Sequence, residues 1–202
     1  MSKNAEMTLR ITENLEHKNL LARIQEFGGG EFIAWEFMPM SLLHLARSRF
    51  LNELGIASIL GQALHDKRLE HCGLSCSTVL ISSNGVVKIG GLEHCKEISG
   101  DAHRAGIDGE GLKRLTLELV DGHYIESLNG KGRFQITNVN LDNLQNIVDF
   151  IDKLNGRVKI STLQQQKLFR LKGRPEVLKG MIAYAQYFAL FFKEYPSQVV
   201  QE

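Results

Sequence analysis

Residues 65–93 read HDKRLEHCGLSCSTVLISSNGVVKIGGLE, and this stretch decides the fold. Two short runs rich in β-branched residues, 79–81 and 86–89, lie on either side of Ser82-Ser83-Asn84-Gly85. Asn-Gly favours the backbone conformations that a tight hairpin turn requires. The stretch therefore predicts an antiparallel β-hairpin that follows a polar loop containing two cysteines.

A second hairpin is predicted nearer the N-terminus. Residues 20–27 and the run from Glu31 to Phe37 are rich in aliphatic and aromatic residues, and Gly28-Gly29-Gly30 separates them. Three glycines provide a permissive turn. They are not part of a G-x-G-x-x-G pattern and no helix is expected directly after them, so a phosphate-binding loop is not indicated.

Helical spacing of apolar residues accounts for most of the remaining chain. It predicts a helix over residues 6–15 and a long helical segment from Ser41 to near His65. Four more helices are expected over residues 108–120, 141–154, 163–171 and 175–195. Asn140 is the expected N-cap of the second of these four, and Pro175 opens the last. This order predicts an α+β fold that is dominated by helix in its second half.

The composition limits the possible partners and compartments. Among 202 residues, 24 basic and 23 acidic side chains leave a formal net charge of +1, which provides no strong field for nucleic acid or an anionic membrane. Three cysteines cannot form a disulfide framework in a chain of this length, and they favour reduced thiols. The longest apolar run, residues 181–192, is too short to span a bilayer. We expect an intracellular protein, cytoplasmic or nuclear, without a nucleic-acid or membrane partner.

The stretch 65–93 resembles the middle of the eukaryotic protein kinase fold. Residues 71–80, HCGLSCSTVL, follow the spacing of the H-R-D-L-x-x-x-N catalytic loop, and residues 87–93, VKIGGLE, resemble the strand that leads into D-F-G. Asp108 resembles the leading Asp of the large C-lobe helix, and Arg174 resembles the Arg that precedes the last helix. The resemblance implies a remnant N-lobe over residues 1–37 and a C-lobe over residues 38–202, in one continuous domain.

The residues that carry kinase chemistry are replaced at the matching positions. Gly73 stands at the position of the general-base Asp, and Ser75 at that of the catalytic-loop Lys. Thr78 replaces the metal-binding Asn, and Gly91 replaces the D-F-G Asp. Glu93 offers a carboxylate, but it occupies the Gly position of that motif. The resemblance therefore implies a pseudokinase, an inactive relative with no catalytic residue and no cofactor.

The matching region also begins late and lacks an activation segment. It starts at what resembles helix αC, without the glycine-rich loop and V-A-I-K strand of a kinase N-lobe, and no A-P-E occurs between Gly91 and Asp108. We expect a truncated kinase-like protein that acts as a binding or scaffold module. One alternative is a protein kinase superfamily member with residual ATP binding or phosphotransfer. Another is a gene fragment without an independent role.

Four residues match structural positions of the kinase motifs: His71, Leu74, Asp108 and Arg174. The resemblance implies that His71 packs beneath the D-F-G position. It also implies that Asp108 accepts backbone N–H groups of the catalytic loop, since an unpaired buried donor costs about 1–3 kcal/mol. These residues would maintain a scaffold in the absence of the reaction.

A cluster of thiols and imidazoles provides a further alternative. His71, Cys72, Cys76, His94 and Cys95 are the ligand types that zinc prefers, and the kinase-like arrangement would bring them close together. Their spacing is not that of a standard zinc finger or ribbon, and buried free cysteines are common in cores. A zinc-stabilised interaction domain and a cysteine nucleophile with a nearby histidine remain as alternative interpretations.

Two segments are candidates for partner binding or self-association. In a complete kinase-like fold, the strand from Glu31 to Phe37 would pair with a strand that this chain lacks, which leaves an open edge for strand addition. The apolar stripe of the last helix, beginning at Met181, covers more than one of its faces. It either packs entirely on the core or presents a surface to a protein partner.

Overall fold

The computed structural model describes residues 17–29, 32–63, 69–71, 73–92, 95–97, 105–121, 144–154, 160–171 and 174–191. Within these ranges the fold is α+β, with small antiparallel sheets and a larger helical part, as the sequence predicts. The expected helix over residues 6–15 lies outside the described residues. No helix within the described ranges is long and apolar enough to cross a membrane.

The described strands form three small sheets. Strands β1 (Arg23–Phe27) and β2 (Phe32–Trp35) make an antiparallel pair. Strands β3 (Met40–Ser41), β5 (Val79–Ile81) and β6 (Val87–Ile89) make a three-stranded sheet with the order β3-β5-β6. Strand β4 (Leu69–His71) pairs antiparallel with β7 (Cys95–Glu97). Both predicted hairpins are therefore confirmed.

The tip of the β5–β6 hairpin has the conformation that its sequence predicts. Gly85 has φ of +82°, in the left-handed region where glycine is favoured. The Gly85 N–H donates to the Ser82 carbonyl at 2.9 Å, and the Val86 N–H donates to the Ser82 hydroxyl at 3.1 Å. Ser82 therefore stabilises the turn by accepting two backbone hydrogen bonds, and Gly85 adopts the positive φ that the turn requires.

The prediction of one continuous helical segment from Ser41 to His65 is wrong, because the chain is not helical between Arg47 and Glu53. The structure has two helices, α1 (Leu42–Arg47) and α2 (Glu53–Ala63). Helix α1 ends where the Ser48 hydroxyl donates to the Leu45 carbonyl, and Arg49 adopts a left-handed φ of 58°. Helix α2 begins after Asn52, whose side-chain oxygen accepts the Gly55 N–H at 2.9 Å.

The later helices differ from prediction at their ends. Helix α3 (Ala105–Val120) begins before Asp108, and α4 (Gln145–Lys153) begins well after the expected N-cap Asn140 because Leu144, with φ −125° and ψ 24°, is not helical. The helix predicted over residues 163–171 is two short helices, since Gln166 is extended with ψ 152°. Three helices complete the described chain: α5 (Ile160–Gln164), α6 (Lys167–Arg170) and α7 (Pro175–Phe191). Helix α7 opens at Pro175 as predicted.

The main core lies between the β3-β5-β6 sheet and helices α1, α2, α3 and α7. Helix α2 is central, since it packs against α7, α6, α3 and β6. A smaller cluster joins Leu92 and Cys95 to Leu20 and Trp35, and it attaches the β1–β2 hairpin to the rest of the fold. The largest fully buried side chains include Phe150, Leu42, Leu45, Ile56, Ile59, Leu60, Leu115 and Leu178.

Candidate functional site: the loop between β4 and β5

His71 ties the start of this loop to the end of β6. Its Nε2 lies 2.8 Å from the Gly90 carbonyl oxygen, and its Nδ1 accepts the Gly73 N–H at 3.3 Å. A carbonyl can only accept and an N–H can only donate, so these contacts select the neutral imidazole protonated at Nε2. His71 is buried, and it joins two segments that are separated in sequence by the whole β5–β6 hairpin.

The hydroxyl groups of Ser75 and Thr78 close the loop on itself. The Thr78 hydroxyl donates to the Gly73 carbonyl at 2.9 Å and accepts the Ser75 N–H at 3.0 Å. The Ser75 hydroxyl lies 2.8 Å from that of Ser77. The sequence matches Gly73, Ser75 and Thr78 to catalytic positions, and in the structure all three belong to one internal hydrogen-bond network.

Gly91, which the resemblance matches to the D-F-G Asp, lies beside this network. Its φ is +66°, and a Cβ placed on it would lie 3.2 Å from Thr78 Cγ2 and 3.6 Å from His71 Nε2. The structure thus brings Gly73, Thr78 and Gly91 together around His71. None of these three positions supplies a carboxylate or an amide side chain. Glu93 lies outside the described residues.

A buried carboxylate on α3 accepts a hydrogen bond from the backbone of the same loop. Glu118 is 1% exposed, and its Oε2 accepts the Cys76 N–H at 2.6 Å. Its Oε1 accepts from Nε of Arg114 at 2.9 Å. The sequence assigned the role of loop acceptor to Asp108, whose side chain is not described. Glu118 was missed, although an acid within the run LTLELV is a signal of a buried, paired carboxylate.

The other two structural motif residues lie apart from one another. Leu74 is buried against α3, where a Cβ at Gly111 would approach Leu74 Cβ to 3.0 Å. Arg174 is exposed, and its backbone carbonyl accepts the Ser58 hydroxyl at 3.1 Å. Leu74 therefore belongs to the loop and its packing, whereas Arg174 contributes its backbone to the contact between α2 and the start of α7.

Cys76 is a core thiol of this loop. Burial raises the pKa of the Cys76 thiol well above its ordinary value, and the carboxylate of Glu118 raises it further. A protonated thiol is a poor zinc ligand and a poor nucleophile. Within the described ranges no group of three His, Cys, Asp or Glu side chains could hold a metal ion. Cys95 is buried as well, while Cys72 and His94 lie outside the described residues.

The Cys76 thiol should make stability fall at alkaline pH. As the pH rises through the ordinary thiol pKa of 9.0, the unfolded chain loses this proton first, and the native state then binds more protons than the unfolded state. The free energy of unfolding therefore falls by up to about 1.4 kcal/mol per pH unit from this group, and its contribution is fully present only below that pKa. Urea denaturation of wild type and Cys76→Ala should show a steeper loss for wild type above pH 9.0. Ser77→Ala, which removes no titratable group, should follow wild type; parallel curves for all three proteins would contradict the assignment.

The β1–β2 hairpin is attached to the fold at its base and is exposed towards its turn. Glu36 forms an ion pair with Lys88 and accepts the Ala22 N–H at 2.7 Å, which holds the base of the hairpin to β6. Trp35, also at the base, packs in the smaller apolar cluster. Next to the turn Phe27 and Phe32 are cross-strand partners, and they are 50% and 68% exposed. The hairpin therefore presents two exposed aromatic side chains at the end that is farthest from its attachment.

Strand β2 is an edge strand within the described part of the chain. It pairs with β1 alone there, so its second edge has no ladder partner among those residues. Phe37, two residues after the end of this strand, is 86% exposed. The sequence predicted an open edge between Glu31 and Phe37; Glu31 lies outside the described residues, and the described remainder forms such an edge.

A polar depression lies elsewhere, between α4 and the start of α6. Its volume is about 260 Å³, and its walls carry charges of both signs. Because these side chains are mostly exposed and of mixed sign, they do not select one class of ligand. The lining residues are Asn146, Asp149, Asp152, Lys153, Gln166 and Lys167.

No protein-family model matches the chain, and no curated protein is significantly similar to it in sequence.

Proposed function

We propose that this chain is a kinase-like protein that acts by binding rather than by phosphoryl transfer. The observation that carries this proposal is the closed loop between β4 and β5, in which the Thr78 hydroxyl bonds the Gly73 carbonyl and the Ser75 N–H. In a kinase these positions hold the residues that orient the substrate hydroxyl and bind metal. Here the Thr78 side chain bonds to backbone groups of the loop itself.

The chemistry of phosphoryl transfer supports the same interpretation. The reaction requires a group that accepts or orients the hydroxyl proton, together with ligands for magnesium ions that neutralise the phosphates. Gly73 has no side chain for the first task, and Gly91 has none for the second. Thr78 retains one oxygen, but its hydroxyl already donates to one backbone group and accepts from another.

The scaffold contacts indicate why such a loop would be retained. His71 bonds the Gly90 carbonyl, and Glu118 bonds the Cys76 N–H, so buried polar groups of the loop have partners. These contacts stabilise the shape of the loop without requiring a ligand. They support a role for the kinase-like C-lobe as a folded platform for binding.

The β1–β2 hairpin is the surface that we assign to a protein partner. Its end next to the turn carries the exposed Phe27 and Phe32, and the second edge of β2 has no ladder partner within the described ranges. An extended segment of a partner can add to such an edge through backbone hydrogen bonds, while the aromatic side chains bury apolar surface. The expected partner is therefore a protein segment of low charge that binds as a strand.

A thermal-shift titration with ATP and magnesium tests the proposal. A ligand that binds the native state at 100 times its dissociation constant adds about 2.7 kcal/mol to stability and raises the melting temperature. We expect no magnesium-dependent rise, because the positions that would hold the metal lack ligands. Titrations of magnesium alone and of ATP with a chelator are the controls. A saturable rise that requires both ATP and magnesium would instead support the alternative of residual nucleotide binding.

A further inference from the structure

Helix α7 buries one face and exposes another. Leu178, Ile182 and Ala185 are buried in the main core, at the spacing of one helical face. The α7 face, as we name the opposite side, consists of the exposed residues Gly180, Ala183, Tyr184, Tyr187 and Leu190. One face of α7 therefore packs on the core, and the opposite face keeps a large exposed fraction.

The α7 face has an unusual composition for a surface exposed to water. No residue from Gly180 to Leu190 is charged, although Tyr187 is 56% and Leu190 75% exposed. Phe50 extends the face, since its ring centroid lies 3.6 Å from that of Tyr184. At about 200 Å² per aromatic side chain, the exposed parts of Phe50, Tyr184 and Tyr187 leave roughly 300 Å² of aromatic surface there. Together with Leu190 this approaches the largest patches found on monomers, which often mark interaction sites.

We propose that the α7 face binds the same face of a second copy of this chain, as an antiparallel helix pair about a two-fold axis. This inference goes beyond the proposed function, because the dimer forms through α7 whether or not the loop between β4 and β5 takes part in catalysis. It also uses a different surface from the β1–β2 hairpin.

Size complementarity along the helix favours a second copy as the occupant. The α7 face presents the small residues Gly180 and Ala183 towards its N-terminal end and the large residues Tyr187 and Leu190 towards its C-terminal end, with Tyr184 near its middle. An antiparallel pair with its axis level with Ala185 sets Tyr187 opposite Ala183 and Leu190 opposite Gly180. Nothing lies within 4 Å of a Cβ placed on Gly180, so the space for a partner side chain is open. A two-fold interface requires this kind of self-complementary patch.

Electrostatics also favours the second copy. Between Gly180 and Leu190 two such faces meet without opposing like charges, because no residue of that stretch is charged; Glu176 and Lys179 lie at the N-terminal end of α7. The chain as a whole has a net charge of only +1, so two copies repel one another weakly. A membrane surface fits less well, since an interfacial helix combines its apolar face with a face rich in Lys and Arg, whereas the opposite face of α7 is buried in the core.

The dimer should be weak. Stable interfaces bury about 800 Å² on each partner, and the aromatic part of the α7 face provides less than half of that area. Side chains at the edges of the contact add to it. We therefore expect a reversible dimer with a dissociation constant in the micromolar range, rather than a permanent one.

Sedimentation equilibrium of the full chain, from about 1 μM to about 500 μM, tests this inference. Wild type should change from one to two chain masses over this range. Tyr187→Lys and Ala183→Glu should each weaken the dimer at least tenfold, because each buries a charge without a partner. Thr162→Lys adds the same charge as the first variant at an exposed position on α5, and it should dimerise as wild type does. Circular dichroism and melting temperatures verify that each variant folds.

A mixture of the two weakened variants tests the register. In a mixed dimer the Glu at position 183 of one copy lies opposite the Lys at position 187 of the other, and the second contact keeps the native pair, so dimerisation should return. A wild type that stays monomeric throughout the range, or that binds neutral lipid vesicles as a monomer, would overturn the proposal. So would a dimer that Tyr187→Lys leaves unchanged, since its interface would lie elsewhere.

Discussion

Gly85→Ala should destabilise the protein by about 3 kcal/mol or more, because two separate costs meet at this residue. Its φ of +82° lies where residues with a Cβ are strained. In addition, a Cβ at this position would lie 1.9 Å from the Pro175 carbonyl oxygen and 2.7 Å from its carbonyl carbon. Both are backbone atoms at the start of α7, so no rotation of a side chain can relieve the overlap. The hairpin tip would have to separate from α7.

Gly29→Ala is the matched control for this prediction. Gly29 has a similar φ of +65°, but nothing lies within 4 Å of a Cβ placed there. Gly29→Ala should therefore lower the free energy of unfolding by the backbone strain alone, about 1 kcal/mol. Urea denaturation of both variants measures the difference, with the slope of each transition used to verify that the unfolded state is unchanged. Equal losses would show that the close approach of the tip to Pro175 contributes nothing to stability.

Two hydrogen bonds from the Gln62 side chain also hold the tip of the β5–β6 hairpin in place. Gln62 on α2 donates from Nε2 to the Gly85 carbonyl at 3.0 Å, and its Oε1 accepts the Val87 N–H at 3.0 Å. The side-chain amide of Gln62 thus forms one hydrogen bond with the backbone of the turn and one with the backbone of β6. If Gly85→Ala moves the tip, these bonds are strained together with the contact to Pro175.

Glu118→Ala is expected to cost about 2–4 kcal/mol and to loosen the loop between β4 and β5. The change leaves the buried Cys76 N–H without its acceptor, a loss of about 1–3 kcal/mol, and creates a space in the core. The Arg114 side chain is half exposed, so water can replace its bond to Glu118 at little cost. The amide proton of Cys76 should therefore exchange faster than in wild type, as hydrogen exchange can measure.

Glu118→Gln separates the hydrogen bond from the charge. Glutamine keeps a carbonyl oxygen for the Cys76 N–H and loses only the ion pair with Arg114. We expect a loss of about 1 kcal/mol and near-native protection of the Cys76 amide. If Gln and Ala at this position had the same effect on stability and exchange, the bond to Cys76 would not be what holds the loop.

Some elements of this fold follow from short segments of sequence. Asn84-Gly85 predicts the β5–β6 turn because Gly85 must adopt a positive φ, and Pro175 predicts the start of α7 because proline suits the first helical turn. The helical segment from Ser41 to His65 was predicted as continuous because its apolar residues keep a helical period. The break depends on Ser48, which bonds back to Leu45, and on Asn52, which caps the next helix. Periodicity does not report such local side-chain bonds.

At the candidate site, too, some features could be predicted from the sequence, whereas the hydrogen bonds between its residues could not. The resemblance to protein kinases matches Gly73, Thr78 and Gly91 to positions where that chemistry would require other residues, and this match stays a prediction. The sequence could not show that the Thr78 hydroxyl bonds the Gly73 carbonyl and the Ser75 N–H, because Ser and Thr have several local acceptors and donors to choose from. Nor did it assign the loop acceptor to Glu118, since spacing along α3 says little about which acid faces the loop.

By itself, then, the sequence determined the turns, the class of the fold and the residue types at the loop, since these depend on neighbouring residues. The tertiary structure decided which distant groups meet: Glu118 with the Cys76 N–H, 42 positions apart, and the Gly85 turn with the Pro175 carbonyl. It also decided that α7 buries one face and exposes the other. Such contacts depend on how whole helices and sheets pack, because a buried polar group must find its partner wherever the packed chain brings one within reach.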